Sequence, residues 1–248
     1  MKLKRLSAMN EYIRAFHLCT YEELCEHFAI SMTTVRRDVE ALVKEGKIVK
    51  VYGGVQSLPQ EEEEDNSLFR YDYGKDRIGK MAASYVKDHD IIVLASGTTV
   101  PHMVRYLREK KDITVITNNL SVINEAVKYG FPLVTIGGNL DRRTLSFVGT
   151  QSTKQMSELN ANKCFLSCNG ITANGISNVA DLEANIKSET INVSKEVILL
   201  ADHTKFGVTS LYNFAKLEDI DTIITEEDVP KEYKDMCTAS HTALRIAE

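Results

Sequence analysis

Leu6, Met9, Ile13 and Phe16 recur at spacings of three and four, which gathers them on one face of a helix near the start of the chain. Thr20 with Glu23 three positions later forms a capping box, so a second helix begins there and runs through Leu24 and Phe28. After a short break Ser31 caps a third helix that turns Val35, Val39 and Leu42 inward and ends at Gly46. Residues 47–51 and 55–58 flank Tyr52-Gly53-Gly54, a turn that needs glycine torsions, and make a small two-stranded wing. Residues 1–58 therefore predict a small winged helix-turn-helix.

Pro59 and the acidic run from Glu61 to Asp65 carry no apolar periodicity, and 59–67 reads as a solvated acidic linker. From 68 to 248 the pattern changes. Short β-branched runs at 91–95, 113–117, 132–136, 163–168, 197–201 and 222–225 alternate with amphipathic stretches at 78–87, 100–110, 120–129, 150–159 and 183–194. That alternation predicts a larger α/β domain on a doubly wound, mostly parallel sheet.

Composition adjusts this picture only slightly. With 43% hydrophobic and 26% charged residues in 248, the chain has the apolar content for a sizeable core, which excludes disorder over most of its length. The net charge of -5 at first opposes a nucleic-acid partner. Its distribution is uneven, however: residues 1–58 hold nine Lys plus Arg against seven Asp plus Glu, so the acidic excess lies in the remainder. That small basic bias alone does not separate a DNA partner from a solvated face. The five cysteines are odd in number and lack the paired short spacings of a zinc site, so they read as reduced thiols, with Cys164 and Cys168 on one sheet face of the core. Apolar runs such as 91–95 and 197–201 are far below membrane-spanning length. A cytoplasmic protein without a membrane partner, cofactor or metal is expected.

The chemistry of the third helix is more telling. With Val35, Val39 and Leu42 facing the core, Ser31 opens the helix and Thr33, Thr34, Arg36 and Arg37 face outward. Hydroxyls suit phosphates or base edges, and a guanidinium suits phosphate or guanine, so this helix has the makings of a recognition helix in the major groove of double-stranded operator DNA. Lys50 and Tyr52 of the wing would reach the flanking backbone. Asp38 cannot favour phosphate and is expected to pair with a neighbouring arginine. A three-helix bundle with a polar face, serving protein contacts, is the alternative that spacing alone leaves open.

In the larger domain, ligands are expected at the carboxyl ends of the strands. The run 91–95 leads into Ser96-Gly97-Thr98-Thr99 and a helix, where a phosphate would find backbone N–H groups and hydroxyls, although such hydroxyls also serve as plain helix caps. The neighbouring strand ends add Asn118 and Asn119, Gly138, Asn169, and Asp202 with Lys205. Amides and a carboxylate suit sugar hydroxyls, while Arg143 and Lys205 suit an anion.

Several of these segments resemble the DeoR family of bacterial regulators. In the N-terminal part they are Arg5, Met9 and Ile13, then Ser31-x-x-Thr34-Val-Arg-Arg-Asp-Val39, Lys50-Val-Tyr52 and Gly53-Gly54. Farther on they are Arg77-Ile-Gly-Lys80, Ser96 to Thr99, Val115 to Leu120, Gly137-Gly138, Ser146-x-Val-Gly149, Glu183 with Lys187, and Ala201 to Gly207. The resemblance implies a sensor domain similar in fold to ribose-5-phosphate isomerase that responds to a phosphorylated sugar. By it, Ser96 to Thr99 would hold the phosphate, and Asn118, Glu183, Lys187, Asp202 and Lys205 would line the sugar. The family commonly has Asp where this chain has Ala95, which points to an effector other than a simple pentose or hexose phosphate. Met1-Lys-Leu-Lys4, Val51-Tyr-Gly-Gly-Val55 and Ser146-Phe-Val-Gly149 look most like the subgroup that represses myo-inositol catabolism. The expectation is a homo-oligomeric repressor of a carbohydrate-catabolism operon. The alternative is a sugar-phosphate isomerase-like enzyme with an appended nucleic-acid module, for which Glu183 or Asp202 would have to serve as base.

Overall fold

The computed structural model describes residues 2–16, 18–51, 53–57 and 72–248. They belong to two compact units, Met1–Ser67 and Leu68–Glu248. Tyr52 and the acidic stretch 59–67 lie outside the described residues.

The first unit contains α1 (Lys2–Phe16), β1 (Leu18–Thr20), α2 (Tyr21–Phe28), α3 (Met32–Lys44), β2 (Ile48–Val51) and β3 (Gly54–Ser57). Thr20 and Glu23 close the capping box reciprocally at the start of α2. Ser31 caps α3, and Gly46 follows it at φ +69. Leu6, Met9, Ile13, Leu24, Val35, Val39, Leu42, Ile48 and Val55 fill one core. The wing has a strand that periodicity did not indicate: β1 pairs antiparallel with β3, making the order β1-β3-β2. Gly54 allows this approach, because a Cβ there would run into the main-chain oxygen of Cys19.

The second unit is built on a seven-stranded, wholly parallel sheet. Its strands are β4 (Ile91–Leu94), β5 (Thr114–Thr117), β6 (Leu133–Thr135), β9 (Ala161–Leu166), β12 (Ser194–Leu200), β14 (Thr222–Thr225) and β15 (Ala243–Ile246), in the order β15-β14-β12-β9-β4-β5-β6. Side chains alternate between two apolar layers, as in β12, where Val197 and Leu199 face one and Ile198 and Leu200 the other. One layer is covered by α4 (Tyr73–Ser84), the helix Val100–Glu109 and α5 (Leu120–Tyr129); α6 (Thr150–Ser157), α7 (Asp181–Asn192) and α8 (Lys231–Ala239) cover the other. Doubly wound is thus the right description. Cys164 and Cys168 share one layer, and burial pushes each thiol up to about 12.

The helix Val100–Glu109 has 3₁₀ rather than α pitch. Two small additions stand beside the main sheet: a hairpin of β7 (Asn139–Asp141) and β8 (Ser146–Val148), and an antiparallel sheet of β10 (Gly170–Thr172), β11 (Gly175–Asn178) and β13 (Tyr212–Ala215). Among the described residues no helix is long and apolar enough to cross a membrane.

Candidate functional site

In the first unit, Thr33, Arg36 and Arg37 are exposed on α3 and Thr34 is half-buried. Ser31 and Thr34 are occupied with each other at the helix start, their hydroxyls 3.0 Å apart. The guanidinium of Arg36 lies 5.9 Å from the centroid of the Tyr21 ring, close enough for a cation–π attraction that holds it at the α2–α3 edge. Lys50 is exposed on β2 and pairs loosely with Glu40 at 3.5 Å. Asp38 does not pair with its neighbours Arg36 and Arg37 as expected. It sits on the buried face of α3, three residues after Val35, and takes Nε of Arg5 on α1 at 2.7 Å. The hydrogen bond that Arg5 donates to Asp38 raises the Arg5 pKa. Neither α3 arginine therefore has its charge spent on Asp38.

In the second unit, β4 and β9 are adjacent although they are the first and fourth strands of the sheet in chain order. The chain winds away from them in opposite directions, so their carboxyl ends leave a crevice at the switch point. A cavity of about 220 Å³ opens there. On the β4 side the loop runs through Gly97 at φ +129, where a Cβ would overlap the hydroxyl of Ser167 from the β9 side. Ser167 Oγ donates to Ser96 O at 3.0 Å, and Asn119 Nδ2 donates to Gly97 O at 3.0 Å and Ala95 O at 3.3 Å. The loop is therefore pinned from both neighbouring strands. Thr99 makes no side-chain cap to the following helix, so helix capping does not account for that hydroxyl.

Nine of the expected residues line the cavity: Gly97, Thr98, Thr99, Arg143, Asn169, Glu183, Lys187, Asp202 and Lys205. Glu183 and Lys187 project from successive turns of α7 and are both buried. Glu183 accepts from Asn178 Nδ2 at 3.0 Å and from Ser146 Oγ at 3.3 Å. Lys187 Nζ donates to Ser167 O at 2.9 Å. Burial pushes the Lys187 pKa down, while the Glu183 charge opposes the shift. Asp202 caps the single turn His203–Lys205, accepting from Thr204 N at 3.1 Å, and stands 3.6 Å from Lys205 Nζ. Three cationic side chains and two carboxylates thus converge with hydroxyls and an amide, a lining able to hold a dianion at one end and polar hydroxyls at the other.

The other four expected residues stand behind this lining. Ser96 is buried and offers its main-chain oxygen to Ser167. Asn118 bonds to the main chain of Phe147 through its side chain and its carbonyl. Asn119 braces the loop and caps α5. Gly138, at φ +151, packs where a Cβ would strike Ser152. Thr144, Asn178 and Val179, from the small hairpins, were not anticipated in the lining. Lys75, which stands beside the lining, was not anticipated either: its Nζ donates to Thr98 Oγ1 at 2.9 Å, and Asp72, which caps α4 by accepting from Lys75 N, marks the start of the helix that carries it. Beside Asp202, His203 Nδ1 is 2.6 Å from Glu226 Oε1 and 3.7 Å from Glu227 Oε2, which raises the His203 pKa. These three have donor types suited to a divalent cation, but the imidazole–carboxylate hydrogen bond already explains their proximity.

Residues 5–61 match the DeoR-like helix-turn-helix domain, and residues 72–227 match the DeoR C terminal sensor domain. The chain is 36% identical to the HTH-type transcriptional regulator IolR of Bacillus subtilis (strain 168), with 100% of both chains covered. It is 29% identical to the HTH-type transcriptional repressor GlcR of the same organism, over 99% of this chain and 96% of that one. Among solved structures, ribose 5-phosphate isomerase A from Methanocaldococcus jannaschii aligns over 53% of each chain at 18% identity with a TM-score of 0.39, values that carry no argument about activity.

Proposed function

The chain belongs to the DeoR family, and from that premise we propose that this DNA-binding transcriptional regulator represses a carbohydrate-catabolism operon until a phosphorylated sugar enters the cavity of its second unit. The observation that carries the reading is the glycine-dependent loop Gly97–Thr99 at the sheet's switch point, facing Arg143, Lys187 and Lys205. The phosphate would lie against this loop, taking main-chain N–H groups, the Thr98 and Thr99 hydroxyls and the charge of Arg143 or Lys205. Asn169, Glu183, Lys187 and Asp202 would read the hydroxyls of the carbon chain. Ala95 is buried in the apolar layer and brings no carboxylate, so Glu183 and Asp202 are left as the acceptors for ligand hydroxyls. This fits a polyol-derived phosphate, in line with the myo-inositol subgroup resemblance.

On the DNA side, α3 would lie in the major groove with Thr33, Arg36 and Arg37 toward the duplex and Lys50 toward flanking phosphate. Two or more chains, acting in the cytoplasm, would occupy paired half-sites, because joined sites multiply a weak individual affinity. The effector acts by preferring one arrangement of the oligomer over another. We read the chain as a regulator rather than an isomerase. The β9 strand leads to Asn169, which is no base.

A thermal-shift screen against phosphorylated sugars and polyol phosphates tests the sensor directly, since a ligand that binds only the folded state raises the melting temperature. At least one should do so, and Thr98→Val should lose the shift while keeping operator affinity. A screen in which no phosphorylated compound stabilises the protein, or a Thr98→Val variant that loses DNA binding while fully folded, would contradict the assignment.

A further inference from the structure

The first turn of α4 is tied to the Gly97–Thr99 loop and the helix that follows it. Asp72 N donates to His102 Nε2 at 3.1 Å, and Asp76 Oδ2 takes Arg105 Nη2 at 2.6 Å and the Tyr106 hydroxyl at 2.7 Å. Gly79 lets the two backbones pack closely, for a Cβ there would lie 2.7 Å from the carbonyl carbon of His102 and the amide nitrogen of Met103. None of the residues in these contacts lines the cavity. Lys75 is different. It is half-buried, and its ammonium reaches from α4 to the hydroxyl of Thr98, which lines the cavity. In the chain, α4 follows directly on residues 58–71, the stretch that leads from the DNA-binding unit.

A hydroxyl is a neutral acceptor, and an ammonium bonds a phosphate oxygen about twice as strongly. A phosphate resting on Gly97–Thr99 would stand beside the atom that Lys75 now holds. We propose that Lys75 transfers its hydrogen bond from Thr98 to the effector's phosphate, and that this exchange fixes the first turn of α4, making Lys75 the positioning residue that reports an occupied cavity to the chain leading toward the DNA-binding unit. The inference rests on the sugar-phosphate reading above and extends it from binding to signalling. It satisfies the requirement that a ligand interact differently with two states before it can shift between them, because the ammonium–phosphate bond exists only when the cavity is filled.

Hydrogen–deuterium exchange on the full-length protein tests this with inorganic phosphate as the probe, against chloride at matched ionic strength. Amides 72, 75 and 76 are hydrogen-bonded in the first turn and report its opening. Phosphate should slow exchange across 97–99 and, by about tenfold, across 72–76 in the wild-type chain. Lys75→Met should keep the protection at 97–99 and lose it at 72–76, and Lys75→Arg, which retains the charge, should restore it. Protection at 72–76 in Lys75→Met equal to wild type would overturn the inference. So would loss at both segments, since Lys75 would then be only one more phosphate ligand. No protection at 97–99 in the wild-type chain would instead remove the phosphate reading itself, and the inference with it.

Discussion

Replacing Gly97 by alanine strikes the loop that defines the cavity, and its cost can be worked from the local geometry. The residue sits at φ +129, a region that costs a side-chain-bearing residue roughly 1–3 kcal/mol. The added Cβ would overlap Ser167 Oγ and lie 2.9 Å from Ser167 Cβ. Ser167 must then rotate away from Ser96 O, losing a buried 3.0 Å hydrogen bond worth about 1 kcal/mol. Together these predict a loss of about 2–4 kcal/mol, or roughly 4–16 °C in the melting temperature of a unit this size. Urea unfolding followed by circular dichroism measures it. The two contributions separate in a double-mutant cycle: in a Ser167→Gly background the clash is gone, so Gly97→Ala should cost about 1 kcal/mol less. Operator affinity should survive while the effector response disappears. A Gly97→Ala variant as stable as wild type, or one with the same cost in both backgrounds, would refute the claim that close approach of the two loops demands glycine here.

Arg37→Ala should weaken operator binding and flatten the plot of log affinity against log salt by about 0.9 for one lost phosphate contact, measured by fluorescence anisotropy over a potassium chloride series; an unchanged affinity and slope would place Arg37 off the duplex. Burial holds His102 down at about 4, with the Lys75 charge adding to the effect. Because its unfolded value is near 6.5, the folded state binds fewer protons between these limits, so this contribution is complete above pH 6.5 and is lost as pH falls toward 4, by about 3 kcal/mol. His102→Gln, which keeps an acceptor for Asp72 N, should flatten the stability profile in that window; an identical profile would contradict the assignment. Cys164 and Cys168, raised to about 12 by burial, should resist iodoacetamide at pH 8 in the native protein and react in urea, as read by mass spectrometry.

The periodic parts of this fold were legible because each carries its own local signal. Thr20 and Glu23 announce the start of α2, and six β-branched runs mark six of the seven strands of the main sheet. The helix Val100–Glu109 was legible as a helix but not as 3₁₀, since apolar spacings of three and four suit either pitch. The strands β7, β8 and β10 lie in stretches without the β-branched runs that mark the main sheet, and Thr144 and Asn178 were missed with them. Contacts between distant residues were beyond reach for another reason. Asp38 finds Arg5 across 33 positions, and Lys75 finds Thr98 across 23, through packing that no local pattern encodes. Strand ends, by contrast, converge in any parallel sheet, and Gly97, Thr98, Thr99, Asn169, Asp202 and Lys205, chosen on that ground, line one cavity together with Arg143, chosen for its charge, and Glu183 and Lys187, which only the family resemblance indicated. Those that do not, including Asn119 and Gly138, are polar or glycine residues used to build the walls.

The central claim is that one chain joins a DNA reader to a sugar-phosphate sensor, and the anisotropy of a labelled duplex from the chain's own upstream region measures both halves together. The full-length protein should bind in a salt-dependent, sequence-specific way and be released when a phosphorylated sugar or polyol that stabilises the wild-type protein is added, with no release from the Thr98→Val variant. Specific binding that every stabilising phosphorylated compound leaves unchanged would contradict the central claim.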